Sequence, residues 1–259
     1  MQTIGLIAAM SKEGNALLRY VKPWKRSAIG PLRGYNFSIS DQACVLVTSG
    51  MGIRRASEAC RILVEVISPQ ILISFGIAGA VDADLDIGDV VLAKAFCRLE
   101  HGALSLIQPL ADWPDAAREA AAQALASRAA RLFAGTVVTT SGSQTFEYKL
   151  GEMKHPVLEM ETAGIARVAA EKGIPLLSLR AISDSPRAPI PFDLGEVMDE
   201  EANLRVGNLL GLILRHPRII GQSRQIRLNT RIAAENAAIT LQAILSRAFP
   251  RHLEEKFNG

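Results

Sequence analysis

The sequence predicts an α/β fold in three layers, with a central mixed, largely parallel sheet flanked by helices. Strand-like and helix-like segments alternate along the chain, with mostly long connections between successive strands, the pattern of a sheet crossed over by helices. The runs at 70–75 and 176–182 are dominated by Ile, Leu and Phe, as strands covered on both faces are. Residues 53–67 place Ala56, Ala59, Cys60, Leu63 and Val64 at helical spacing, one stripe facing a core.

The elements follow in order. Residues 3–9 form a short strand, apolar except at its ends, and 12–20 a helix. Residues 34–40 and 44–48 read as a hairpin about Ser40-Asp41-Gln42. The helix at 53–67 leads into the central strand at 70–75, and 90–95 is a further strand. Residues 114–132 are Ala-rich and read as one helix. Residues 134–139 are β-branched and extended. The helix at 162–172 stops at Gly173, a C′ glycine. Pro175 opens and Pro186 closes the last strand. Asp184 therefore stands at a carboxyl end, the edge of an α/β sheet where ligands bind. Alone, it would suit a helix N-cap equally well. A Pro-rich link, 186–191, precedes a helix at 203–214. Arg215-His216-Pro217-Arg218 breaks that helix, and a basic, apolar helical stretch runs over 219–249.

With 259 residues, 49% of them hydrophobic, the chain can bury a full core. We expect one domain, 1–200, and a helical basic extension, 201–259, packed on or next to it. Three scattered cysteines argue against a disulfide framework or a zinc site, and suit a reducing cytosol. No leader is expected at the N-terminus. The apolar run 209–214, with Gly211 inside it, is too short to span a membrane. From Arg205 onward nine basic residues face three acidic ones. The first 204 residues hold twenty basic and twenty-three acidic, so the positive charge lies in the tail. His101, His155, His216 and His252 have no metal-ligand spacing, and no metal is expected. Gly50-x-Gly52-x-x-Arg55 lacks the third glycine of a dinucleotide fingerprint. No aromatic platform with basic residues suggests nucleic acid.

Three acidic places stand out: Glu13 just past the first strand, the pair Glu159-Met160-Glu161, and Asp184. The two glutamates of the pair would also suit the first turn of the 162–172 helix. Yet Ala9-Met10-Ser11-Lys12-Glu13, Leu158-Glu159-Met160-Glu161 and Arg180-Ala181-Ile182-Ser183-Asp184 resemble signature segments of the purine nucleoside phosphorylase and nucleosidase superfamily. So do Thr48-Ser49-Gly50-Met51-Gly52, the glycine turn Phe75-Gly76-Ile77-Ala78-Gly79, and Gly88-Asp89-Val90-Val91. The six occur in the family's order, over residues 3–185. Each is weak alone; together they are specific.

The resemblance implies cleavage of the bond between a sugar and a purine. That bond breaks toward an oxocarbenium-like sugar, and the departing base needs a proton. The implied donor, at purine N7, is Asp184, oriented by Ser183 and with its pKa raised by burial. Glu161 would bind the ribose hydroxyls, with Met160 against the sugar, while Glu159 faces a structural partner. Glu13 aligns with the nucleosidase glutamate that activates water. In phosphorylases phosphate takes that place, and Gly50 and Gly52, opening a helix, would suit as its cradle. Gly76, Ile77 and Phe146 complete the implied substrate contacts. No cofactor is implied beyond inorganic phosphate as a co-substrate.

Three departures matter. The nucleosidases carry Gly-Ser-Ala-Gly where this chain has Ile77, which removes a hydroxyl that would hold water and favours phosphorolysis. Their base-stacking aromatic is displaced by one here, with Thr145 in its place and Phe146 next to it. The phosphorylase arginine before the glycine turn is replaced by Phe75. The 75–79 segment and the tail are more similar to the hopanoid-associated branch, whose substrate is adenosylhopane; the methylthioadenosine/S-adenosylhomocysteine nucleosidases are the alternative. From another class, a nucleoside- or lipid-binding protein without catalysis is the rival. The resemblance thus points to a cytoplasmic homodimer taking a small or lipid-linked adenine nucleoside, with the basic tail meeting the inner face of a membrane.

Overall fold

The computed structural model describes residues 3–100, 103–107, 111–140, 150, 153–188 and 218–247, with side chains of the last helix from 224 onward. The first unit is β1 (Thr3–Ala8), α1 (Ser11–Leu18), β2 (Trp24–Ile29), β3 (Leu32–Ile39), β4 (Gln42–Thr48) and α2 (Ile53–Ile67). Then come β5 (Ile71–Ala80), β6 (Val90–Glu100), β7 (Ala103–Ile107), α3 (Asp115–Ala126) and β8 (Leu132–Thr140). The chain continues through β9 (Val157–Glu159), α4 (Thr162–Lys172) and β10 (Leu176–Asp184) to α5 (Arg218–Arg247).

One mixed sheet runs through the molecule. β1 lies parallel between β4 and β5, and β5 lies parallel to β10. β10 pairs antiparallel with β6, β6 parallel with β8, β8 parallel with β9, and β9 antiparallel with β5. Five strands thus close a ring, and β1, β4, β3 and β2 extend from it as an open sheet. Helices cover both faces, the three-layer arrangement expected. Ala16 and Leu17 of α1, Ala117 and Leu125 of α3, and Ala237 and Leu241 of α5 share one core with β1, β5 and β10. Ala56, Leu63 and Val64 of α2 and Ile165 and Ala169 of α4 share the other.

The β3–β4 hairpin turns at Ser40 and Asp41, both at positive φ, as a tight two-residue turn needs. Three sequence readings change. The segment 76–79 is strand, not turn: β5 continues to Ala80, pairing with β10 and β9. The Ala-rich helix stops at Ala126, because the chain must re-enter the sheet at Leu132 beside Val90; ladder pairing overrides alanine's helix propensity. Short β2, β7 and β9 were missed. β9 has three residues, too few to show a period. The helix expected at 203–214 lies outside the described residues. The 219–249 helix is α5, and Ala233, Ala237, Ala238, Leu241 and Ile244 bury one side of it completely.

Candidate active site

The parallel order β1–β5–β10 sets three carboxyl ends side by side. β1 delivers Glu13 through the first turn of α1, and β10 ends on Asp184. Glu161 sits where β9 passes into α4. Glu13, Glu159 and Glu161 are all buried.

Glu13 is held at both oxygens. Oε2 accepts the Met10 N–H at 2.7 Å, reaching back over its own helix start, and Oε1 accepts the Ile77 N–H of β5 at 2.9 Å. Burial pushes its carboxyl above the ordinary range, against those backbone bonds and the charge of Arg180. It lies so close over Gly76 that any side chain there would collide with it. Three residues on, Gly79 makes the same room for Asp184: a Cβ would stand 2.6 Å from its Oδ2. The strand 76–79 is thus the floor between the two acids, and bare backbone at both positions lets them approach.

Asp184 accepts a hydrogen bond from the Ser183 hydroxyl at 2.7 Å. Burial raises its pKa, partly opposed by that bond. Such a carboxyl keeps its proton further toward neutral pH and can donate it.

Glu159 and Glu161 are two residues apart and have opposite environments. Glu159 is saturated. Its carboxylate accepts from Thr139 Oγ1, Thr162 Oγ1 (2.8 Å), the Thr162 N–H (2.8 Å) and the Glu161 N–H (3.1 Å), and it pairs with Arg180 Nη2 at 2.9 Å. Burial works to raise its pKa, but Arg180 and the hydroxyl bonds hold it below the usual range. Glu159 therefore does serve as a helix-start acid for α4. Glu161 does not: Oε1 accepts the Gly52 N–H at 2.8 Å, across to the start of α2. Burial first, then repulsion from Glu159, pushes its pKa up to about 8.

Arg180 was the residue the sequence reading passed over. It is buried, and its guanidinium also donates to Ser74 Oγ at 2.7 Å, Thr162 Oγ1 at 2.8 Å and the Leu179 carbonyl at 2.9 Å. A charged residue inside an otherwise apolar strand was the available signal, since a buried charge requires partners. Glu159 takes up its charge. Glu13 and Glu161 feel it at longer range, and among the described residues neither forms an ion pair. The result, among the described residues, is a strand edge where buried acids outnumber the one buried cation.

The structure thus sets Glu13 directly against Gly76 and Ile77, and Glu161 directly against Gly52, with the Glu13 charge felt at Glu161. Asp184 and Ser183 stand at the other end of the same strand edge. Met160 is half-buried beside Glu161, and its N–H reaches Glu161 Oε2 at 3.3 Å. Gly50 is placed by its N–H bond to the Ala9 carbonyl, at 3.0 Å. Phe146 lies outside the described residues. Among those residues no group of acids, histidines or cysteines is arranged to hold a metal ion.

Curated relatives match most of the chain. It is 24% identical over 213 residues to a 5′-methylthioadenosine/S-adenosylhomocysteine nucleosidase of Staphylococcus epidermidis, covering 77% of this chain and 93% of that protein. It is 28% identical over 216 residues to the enzyme of that name from Listeria monocytogenes, covering 74% and 91%. Among solved structures, the Neisseria meningitidis nucleosidase in complex with methylthio-immucillin-A superposes with a TM-score of 0.67 at 20% identity, over 95% of this chain and 99% of that one. A futalosine hydrolase mutant of Helicobacter pylori gives 0.66 at 17%, over 94% and 98%. These structures share the fold. The model of one family, the Phosphorylase superfamily, matches residues 3–215. The chain belongs to the phosphorylase superfamily.

Proposed function

We propose that this chain is an enzyme that cleaves the N-glycosyl bond of an adenine nucleoside, with Asp184 as the general acid. The carrying observation is the surplus of acid along one strand edge: buried Glu13 and Glu161 and half-buried Asp184, each with a raised pKa, where the Arg180 guanidinium is already paired with Glu159. As the C1′–N9 bond breaks, the sugar becomes cationic and the base takes the bonding electrons. Asp184 gives its proton to N7. In its ionised form Glu161 accepts from the ribose hydroxyls and stabilises the cation, which in turn favours that form. The names of the relatives support adenine nucleosides as the substrate class.

Water is the nucleophile in this reading. It attacks C1′ and gives its proton to Glu13, whose raised pKa suits a base working near neutrality. The phosphate cradle expected at Gly50 and Gly52 has less support: both N–H groups are taken, by Ala9 and by Glu161. The lost hydroxyl at Ile77 favoured phosphate, but the Ile77 backbone itself holds Glu13.

For the 5′ group, two readings stand. The relatives' names favour methylthioadenosine and S-adenosylhomocysteine. The resemblance of 75–79 and of the tail favours adenosylhopane. Exposed Arg224, Arg227 and Arg231 on α5, with Leu228 among them, support contact with an anionic membrane surface from the cytoplasm. Exposed Leu106 on edge strand β7 supports a homodimer. The test is incubation with methylthioadenosine and with adenosylhopane in vesicles, with and without phosphate. Free sugar at equal rates in both buffers is expected. A sugar 1-phosphate product would overturn water as nucleophile, and failure on every adenine nucleoside would overturn the function.

A further inference from the structure

The strand ladder slips by one residue just before Asp184: β10 is in register with β5 up to Ile182, then resumes at Asp184. The direction of the Asp184 carboxyl thus depends on what holds Ile182. That residue is gripped by the turn before β6. Its N–H donates to the Asp89 carbonyl and its carbonyl accepts the Gly88 N–H, both at 2.8 Å. The turn is itself held from two sides. The Asp89 carboxylate accepts the Arg131 N–H at 2.8 Å and Arg131 Nη2 at 2.7 Å. From the other side, Asn236 of α5, fully buried, donates Nδ2 to the Gly88 carbonyl at 2.7 Å. Arg128 Nε donates to Asn236 Oδ1 at 2.5 Å, and this fixes which way the amide faces. Gly88 has a φ of 91°, and a Cβ there would stand 2.9 Å from Asn236 Nδ2, so the approach is built into the turn.

We infer that Asn236, on the C-terminal helix, is a positioning residue for Asp184, acting through Gly88 and Ile182. Neither end is optional in this chain of bonds: Asn236 is the side-chain donor to Gly88, and Gly88 and Asp89 hold Ile182 two residues before the acid. The C-terminal helix then does more than complete the core; it sets the geometry of proton donation. This inference rests on the general-acid reading of Asp184.

Asn236→Asp tests it. The carboxylate keeps an acceptor for Arg128 and so preserves the packing of α5 and α3, but it cannot donate to Gly88. Adenine release from methylthioadenosine, thermal unfolding and the pH dependence of kcat are measured beside wild type and Asp184→Asn. We expect kcat to fall roughly 10- to 100-fold, as for a reacting group displaced by about 1 Å, with KM within about twofold. We also expect the alkaline limb of kcat, where Asp184 loses its proton, to move to lower pH as the loosened carboxyl meets water. Should Asn236→Asp unfold, Asn236→Ser, whose hydroxyl is too short to reach Gly88, is read in the same way. An unchanged kcat, or a lower kcat with the alkaline limb in place, overturns the inference and leaves Asn236 a packing residue. If Asp184→Asn keeps wild-type kcat, the general-acid reading fails and takes this inference with it. If Asp184→Asn is inactive while Asn236→Asp matches wild type, only the role of Asn236 fails.

Discussion

Replacing Arg180 with methionine removes the cation from the middle of the acidic site and leaves the shape of β10 nearly intact. Arg180 and Glu159 expose 3% and 1% of their side chains, so water cannot compensate for the missing partner. Glu159 would keep its donors from Thr139, Thr162 and the α4 backbone, but as a buried anion without a counter-ion. Ser74 loses its donor, and so does the Leu179 carbonyl. Breaking one side of such a pair costs about 3–5 kcal/mol. That is a large part of the roughly 5–15 kcal/mol that holds a domain folded. The double change Arg180→Met with Glu159→Gln should recover much of the loss, because no charge is then left buried. The cost is also pH-dependent. In the wild type Glu159 titrates below its unfolded value, so its contribution is present above the unfolded pKa and is lost as pH falls through the folded one. In Arg180→Met the unpaired carboxyl takes up a proton instead, so the gap between variant and wild type should shrink on acidification and widen toward neutral pH. Urea unfolding followed by circular dichroism, at several pH values, reads this directly. A cost below about 1 kcal/mol at neutral pH, or a gap independent of pH, would refute the ion-pair account of Arg180.

Two further outcomes follow from burial. Glu161 has a folded pKa of about 8 against an ordinary 4.5, so it stabilises the free enzyme only while protonated, and wild-type stability should fall as pH rises through that window. Glu161→Gln should remove this fall and so gain on wild type above pH 8, while weakening substrate binding and rate together; parallel stability curves would contradict it. Leu241→Ala on α5, whose side chain is fully buried, should cost about 2–5 kcal/mol by thermal or chemical unfolding, as for a core leucine. A loss within experimental error would mean that α5 does not belong to the core.

The parts of the fold with a clear period were legible. The stripe Ala56, Ala59, Cys60, Leu63, Val64 and the apolar run of β5 are set by burial on fixed faces, and burial writes itself into sequence. β9 was not, since three residues show no alternation and its pairing is decided by distant strands. The segment 76–79 was misread because glycine usually marks a turn; here its lack of a side chain serves two carboxyls that lie against a strand. The Ala-rich run was overextended because propensity says nothing about where β8 must rejoin β6. In the site, Glu13 and Asp184 stood out as acids at strand ends, and Glu161 through the resemblance of its segment. Arg180 was visible as a charge in an apolar strand, but its partners come from β5, β9 and α4, and only the fold brings them together. Asn236 lay further from view, joined to the acid through backbone groups that carry no sequence signal.

The central claim is that Asp184 delivers the proton to the leaving base. Adenine release from methylthioadenosine, measured in a single turnover with Asp184→Asn at saturating enzyme excess, tests it most directly, provided that circular dichroism and thermal unfolding show the wild-type fold. The asparagine keeps the shape and the Ser183 contact but has no acidic proton. The account predicts a loss of roughly 10²–10⁴-fold in the chemical step, with substrate still bound. A variant that releases adenine within about twofold of the wild-type rate would contradict it, since a general acid is expected to contribute far more than that.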